Sequence, residues 1–145
     1  MMLRYTSTLK QGYIEDLEHL MFFNPGQQSV LPVIVDSLEQ FGSPSVYTSG
    51  GCLRVKLEKL NEAQTLYAMD DDTLVGVLIY SRIMLDRLTV IHIAVHQDYS
   101  SSGKFAHNML VMRMLKLLRN SARCIKGVKT IRVICSGNQV RDCSV

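Results

Sequence analysis

Two groups of residues in the middle of the chain have side chains suited to chemistry. His92 and His96 stand four residues apart in a run of strand-forming residues, and residues 100–104 (Ser-Ser-Ser-Gly-Lys) follow shortly after it. Imidazole has its ordinary pKa near neutral pH, so a histidine is a candidate general base. Small residues with hydroxyl and amide donors, followed by a lysine, suit the binding of a phosphate group. The sequence therefore predicts acid–base chemistry beside an anion site.

The histidines are predicted to share one face of their strand. Side chains four residues apart on a strand point the same way, and Ala94 between them leaves room. A buried histidine that is bonded to a neighbouring backbone group is the alternative interpretation. His92 and His96 are the two candidate catalytic residues.

The serine-rich turn is predicted to join this strand to a helix over about residues 105–122. The first amides of a helix lack partners within the helix, and with the helix dipole they attract anions. A serine that only caps the helix is the alternative. The turn matches neither a P-loop nor a dinucleotide-binding fingerprint, because the glycines of those motifs are missing.

The surrounding pattern predicts an α/β fold with a mixed, mostly antiparallel sheet and helices on both faces. Helices are expected from Ile14 to Met21 and over about residues 28–40. The expected order is β-α-α-β-β-β-α-β, with one extra short strand near Leu53. The last strand, residues 130–135, should run parallel to the histidine strand through a crossover. The other strands are predicted over residues 3–9, 65–69, 73–83 and 88–96.

Composition favours a single globular domain, residues 1–145. Hydrophobic residues make up 47% of the chain and charged residues 20%. The net charge of +3 is too small to indicate nucleic-acid binding, and no apolar stretch reaches 18 residues, so neither a nucleic-acid nor a membrane partner is expected. The four cysteines form no C-x-x-C pair, which favours reduced thiols in a cytoplasmic protein and no metal.

Late in the chain the basic residues gather. Such a set forms either an anionic-ligand face or, as we expect here, the solvated side of a helix and its C-terminal turn. Its members are Arg113, Lys116, Arg119, Arg123, Lys126, Lys129 and Arg132.

Element order and motif together resemble the GNAT acetyltransferase superfamily. The segment IAVHQDY (residues 93–99) is similar to the end of that family's fourth strand, and FAHNML is similar to the start of its main helix. The hairpin TLYAMDDDTLVGVLIY resembles the family's second and third strands. The resemblance covers residues 3 to about 135.

This resemblance implies an N-acyltransferase that moves an acetyl or other acyl group from acyl-CoA to a small-molecule or peptide amine. Acetyl-CoA would be the co-substrate, and His92 or His96 would take the proton of the amine. Backbone groups of Ile93, Ala94 and Val95 would contact pantetheine. The phosphates would be surrounded by Ser101, Ser102, Gly103, Lys104, Phe105 and Ala106.

The sequence departs from the family's pattern after the last predicted strand. The family continues with a helix and two strands, whereas this sequence has about ten further residues without a strong pattern and no tyrosine after Tyr99 to protonate the leaving thiolate. Another group could protonate it, a second chain could complete the sheet, or the domain could be a non-catalytic relative that binds CoA or a protein. A last strand with an open edge would also favour a homodimer.

Overall fold

A computed structural model describes residues 2–22, 38–100, 102–135 and 139–145 of the chain. Two helices are labelled here, α1 (Ile14–Phe22) and α2 (Leu110–Ala122). The strands β1 to β8 span Leu3–Thr6, Pro44–Ser49, Cys52–Leu57, Leu60–Asp70, Thr73–Met84, Arg87–Val95, Thr130–Cys135 and Gln139–Ser144. In the described part of the chain no helix combines the length and the apolar character needed to cross a bilayer.

The strands form one mixed sheet in the order β2-β3-β4-β5-β6-β7-β8. Only the β6–β7 pair is parallel among the described strands, and the other pairs are antiparallel. The long strand β4 has two neighbours on one edge, because β1 pairs with residues 67–70 and β3 with residues 60–63. The predicted α/β class and the parallel course of the last predicted strand are confirmed.

Each face of the sheet is covered by a helix. Leu17 and Leu20 of α1 belong to one buried cluster with Val77 and Ile79 of β5. On the opposite face Met114 of α2 packs in a second cluster, which includes the intervening Leu78. Residues 74–79 of β5 are all buried, as expected for a central strand with cover on both sides. The core is thus two layers of side chains that meet at β5.

Close contact between α2 and the sheet depends on a small residue. A Cβ atom at Gly76 would lie 3.0 Å from the Sδ atom of Met114 and 3.2 Å from the Cβ atom of Ala68. Glycine therefore lets the buried methionine sit directly on the strands. The helix axis is held close enough for its first turn to reach the end of β6.

Two sequence predictions are corrected at the ends of elements, and a third is described only in part. The extra strand near Leu53 is one half of a hairpin, β2–β3. The prediction for residues 28–40 falls mostly outside the described residues, and its end, residues 38–41, is helical. Helix α2 begins at Leu110 rather than near Phe105, because the intervening residues form turns.

The prediction of an open edge at the strand 130–135 is wrong. Strand β8 pairs with the whole of β7, from Thr130↔Ser144 to Cys135↔Gln139. Arg132 on β7 donates two hydrogen bonds to the carboxylate of Asp142 on β8, at 2.8 and 3.0 Å. The sequence of β8 lacks the alternation of apolar and polar residues that predicts a strand. Its extended conformation therefore depends on its pairing with β7. The predicted homodimer therefore loses the argument from an open edge, and it stays a prediction.

The packing of α2 predicts a large difference between two methionines. Met114 is completely buried, whereas Met112, on the same helix, is 57% exposed. We expect Met114→Ala to lower the free energy of unfolding by about 2–5 kcal/mol, because it leaves a cavity against Gly76. Met112→Ala, the matched control, should change it by less than about 0.5 kcal/mol. Urea denaturation measures both, and equal effects would contradict this packing.

Candidate functional site

The pairing between the two parallel strands stops part-way along them. The β6–β7 register runs from Arg87↔Thr130 to Val90↔Val133, although β6 continues to Val95. Beyond Val90, β6 stays paired with β5 on its other side, as at Ile93↔Leu78. Residues 93–95, predicted to contact pantetheine, therefore lie on the part of β6 that has passed the end of the parallel ladder.

A bulge coincides with the end of this ladder. Ile79 of β5 pairs with His92, but the next residue, Tyr80, pairs with Val90, so Ile91 is an extra residue on β6. A bulge bends a strand, increases its twist and re-aims the residues that follow. Ile91 and Ala94 pack on the α1 side, and Val90 and Val95 on the α2 side. The bulge therefore changes which residues of β6 face each helix.

His92 immediately follows the bulge. By alternation with Ile93, which packs on the α2 side, His92 lies on the α1 side with Ala94. Its side chain is half-buried by surface area, and desolvation lowers its pKa from the ordinary 6.5 to about 4. His92 is thus neutral at pH 7, able to accept a proton but weak as a base.

His96 lies just beyond the end of β6 and caps the turn that follows. Its Nδ1 atom accepts a hydrogen bond from the backbone N–H of Asp98 at 3.1 Å. A neutral imidazole that accepts at Nδ1 carries its proton on Nε2, so the outward nitrogen is a donor. Four residues of strand separate the two histidines by about 13 Å, which prevents them from acting on the same proton.

A cavity opens on the α1 side, next to His96. It has a volume of about 420 Å³, which suits a small molecule. Two carboxylates from different elements face it, Asp16 of α1 and Asp72 of the β4–β5 turn, above an apolar floor of Leu20 and Leu74. The remaining lining residues are His19, Thr73, His96 and Gln97. This lining is suited to an organic cation.

The predicted phosphate-binding loop folds on itself. The backbone amides of Gly103, Phe105 and Ala106 donate to the carbonyl groups of Ser100, Asp98 and Gly103, at 3.0, 2.7 and 3.1 Å. These three amides are therefore occupied within the turn. Ser101 lies outside the described residues, and Ser102 and Lys104 are exposed.

Gly103 has a steric role in this turn. A Cβ atom there would overlap the backbone carbonyl groups of Gln97 and Asp98. Glycine is the residue that allows two stretches of backbone to come this close. The turn therefore needs glycine at position 103 for steric reasons, whether or not Gly103 contacts a phosphate.

The anion-attracting amides lie later in the chain than predicted. Met109 occupies the N-cap of α2 with φ 50° and ψ 51°, and its side chain makes no capping hydrogen bond. The amides of residues 110–112 come before the first intrahelical donor, and no acidic residue occupies the first turn. Leu110 packs in the same cluster as Val95 and Tyr99, so this helix end lies against the end of β6.

Tyr99 anchors the turn to the sheet. Its hydroxyl donates to the Oδ2 atom of Asp70 at 2.5 Å, and its ring packs 5.2 Å from that of Phe105. Burial, and then the hydrogen bond to Asp70, raise the pKa of Tyr99, so it stays protonated. Sequence reasoning missed this contact, since nothing in the pattern links residues 29 positions apart.

Lys104 is the exposed cation beside this turn. Its Nζ atom lies 3.8 Å from the Oδ2 atom of Asp98 and 5.3 Å from the centroid of the Phe105 ring. Its side chain is 68% exposed, so these contacts hold it only weakly. Among the described residues, no group of three His, Cys, Asp or Glu side chains could hold a metal ion.

No protein-family model matches the sequence, and no curated protein is significantly similar to it. The interpretation of the site therefore depends on its geometry and on the resemblance of short motifs.

The turn predicts a specific sensitivity at Gly103. We expect Gly103→Ala to lower the free energy of unfolding by about 1–3 kcal/mol, because the added methyl group meets backbone that cannot move aside easily. Gly12→Ala is the control, since a Cβ atom there has no neighbour within 4 Å. Urea denaturation followed by tyrosine fluorescence measures both. A Gly103→Ala variant as stable as Gly12→Ala would contradict the described turn.

The lowered pKa of His92 predicts a pH-dependent stability. The unfolded chain binds a proton at His92 below about pH 6.5, but the folded protein does so only below about pH 4. Stability from this group is therefore intact above pH 6.5 and declines as the pH falls toward 4. Between pH 7 and 4.5 the wild type should lose about 2 kcal/mol more than His92→Gln. The control His107→Gln, at an exposed residue of the turn before α2, should lose as much as the wild type.

Proposed function

We propose that this chain is an acyl-CoA-dependent N-acyltransferase of the GNAT type. The observation that carries the proposal is the end of the parallel ladder at Val90↔Val133, directly before a bulge. The resemblance of the sequence to the GNAT superfamily implies a pantetheine beside this strand. In our proposal the pantetheine arm lies along residues 93–95 and contacts their backbone groups.

The coenzyme phosphates belong, in this proposal, at the start of α2. Residues 102–106 were predicted to surround them, but three of the amides in that turn are already bonded. Lys104 and the amides of residues 110–112 offer positive charge on the same side of β6. In this proposal the pyrophosphate therefore binds at the start of α2 and not in the turn before it. Phe105 and Ala106 lie beside the path by which it reaches that position.

The acceptor in this proposal is a cationic amine held in the cavity beside α1. Asp16 and Asp72 attract it, and the floor of Leu20 and Leu74 accommodates its hydrocarbon part. The ammonium group first loses one proton to the base, and the neutral amine nitrogen then attacks the thioester carbonyl. The C–S bond breaks, and CoA leaves as a thiolate that takes up the second proton that the nitrogen releases. Backbone amides of β6 stabilise the developing oxyanion.

Of the two histidines, His92 is the better proton acceptor, but it does not line the cavity that holds the amine, so in this proposal the proton of the amine reaches it through water. His92 is neutral across the working pH range, whereas His96 presents an N–H on its outward nitrogen. Because its pKa is low, His92 is a weak base, and its contribution should lie near the lower end of the usual range for acid–base catalysis.

A second function is favoured by one observation. The pKa of His92 is lowered to about 4, and the Nδ1 atom of His96 already accepts a hydrogen bond from a backbone N–H, so neither side chain is arranged as an efficient base. The alternative is therefore a non-catalytic GNAT-like domain that binds CoA or a protein partner. A non-catalytic domain that binds CoA would hold it in the same position.

Calorimetric titration with acetyl-CoA tests coenzyme binding. We expect micromolar binding that Lys104→Gln weakens about fivefold, since one exposed cation at a phosphate contributes about 1 kcal/mol. Lys116→Gln, at an exposed lysine further along α2, is the matched control and should bind as the wild type does. No binding at submillimolar acetyl-CoA would exclude the enzyme and a non-catalytic domain that binds CoA.

Release of free thiol from acetyl-CoA in the presence of diamines tests catalysis. We expect His92→Ala to lower kcat about 100-fold and His96→Ala to change it less than threefold. Between pH 5.5 and 9 the rate should follow the ionisation of the amine alone, without an inflection near 6.5. Tight coenzyme binding with no thiol release for any amine would favour the non-catalytic alternative.

A further inference from the structure

The hairpin that joins β5 to β6 ends in three consecutive exposed apolar side chains. Ile83 is 42% exposed, Met84 50% and Leu85 83%. Turns at the ends of hairpins normally carry polar residues, and large apolar side chains that are exposed next to one another mark interaction surfaces. We call residues 83–85 the apolar tip.

The apolar tip is held rigidly against a neighbouring segment. Arg82 donates from Nε to the carbonyl oxygen of Leu85 at 2.8 Å and from Nη2 to that of Lys126 at 2.9 Å. The backbone N–H of Lys129 donates to the carbonyl oxygen of Asp86 at 2.7 Å. The hairpin and residues 123–129 therefore form one surface whose shape is set before any partner arrives.

This surface is positively charged around the apolar tip. The side chains of Arg123, Lys126 and Lys129 are exposed, as is Arg82. Asp86 is the acidic residue of the turn, and it leaves an excess of three positive charges over these five residues. The sequence had already shown that basic residues gather in this part of the chain. As expected, Arg113, Lys116 and Arg119 lie exposed on α2, and Arg123, Lys126 and Lys129 lie at its end and in the turn that follows, which contacts the hairpin.

We propose that the apolar tip docks the protein on an anionic lipid surface. Leu85 lies at the turn of the hairpin with most of its surface exposed. A protein partner would need a matching groove to cover such a protruding side chain. A bilayer surface needs none, since its acyl region accepts the three side chains while anionic headgroups pair with the surrounding lysines and arginines. This proposal departs from the sequence prediction that the chain has no membrane partner.

Both components are needed for such docking. Three short apolar side chains bury little area, and a few exposed cations attract lipid only within a Debye length. Acting together they should give reversible binding that requires anionic lipid and weakens as salt is raised. The proposal is independent of the coenzyme site, which lies at the other end of β6.

Co-sedimentation with lipid vesicles tests the proposal. The full chain is mixed with vesicles of phosphatidylcholine alone or with about 30% phosphatidylserine, a composition that gives a strongly negative surface. We expect binding to the anionic vesicles only. The double variant Met84→Ser/Leu85→Ser should reduce the affinity at least about tenfold, and Lys126→Gln/Lys129→Gln by a similar factor.

Matched controls separate the surface from general effects. Met109→Ser/Met112→Ser alters two exposed methionines elsewhere on the molecule, and Lys116→Gln alters an exposed lysine of α2; both should bind as the wild type does. Absence of binding to anionic vesicles would overturn the proposal, as would equal loss in the control variants. If the tip variants change the sedimentation coefficient of the protein without vesicles, the surface is a contact between protein chains and the proposal is wrong.

Discussion

The end of the β6–β7 ladder is the constraint on which the candidate site depends. A parallel pair in the middle of a sheet normally stays paired along its length, because each unpaired backbone group has a cost. Here the extra residue Ile91 disturbs β6 directly after Val90, while β5 stays paired with β6 on the other side. The bulge of one residue thus coincides with the point beyond which β6 is no longer paired with β7.

The turn after β6 shows how a local motif and a functional one are distinguished. Serine, glycine and lysine before a helix favour both a capping turn and a phosphate cradle. Gly103 is needed because two stretches of backbone nearly touch, and the loop amides bond to loop carbonyls. The turn is therefore a rigid spacer between β6 and α2, anchored to the end of β4 through the hydrogen bond from Tyr99 to Asp70.

Much of the fold could be predicted from the sequence, because periodic segments dominate it. The helix from Ile14, the hairpin around Asp71 and the strand 130–135 follow directly from apolar spacing and turn residues. Strand β8 could not be predicted, because its residues have no apolar alternation and its pairing comes from β7. The start of α2 was misplaced, since Phe105 and Ala106 fit a helical pattern yet lie in turns.

Prediction of the site was less complete for a similar reason. The two histidines were identifiable as candidates from residue type and spacing alone, but burial sets the pKa of His92, and a bond to a backbone amide sets the tautomer of His96. The cavity between Asp16 and Asp72 joins residues more than fifty positions apart. Contacts of that range depend on packing, and a local pattern carries no information about them.

The central claim is that acyl-CoA lies along β6 beyond the ladder and reaches the start of α2. Backbone amide chemical shifts of the labelled protein, recorded during titration with acetyl-CoA, test it most directly. The account predicts that the largest shift changes occur at residues 93–95 and 110–112. Changes confined to the β2–β3 hairpin, or none at saturating coenzyme, would contradict it.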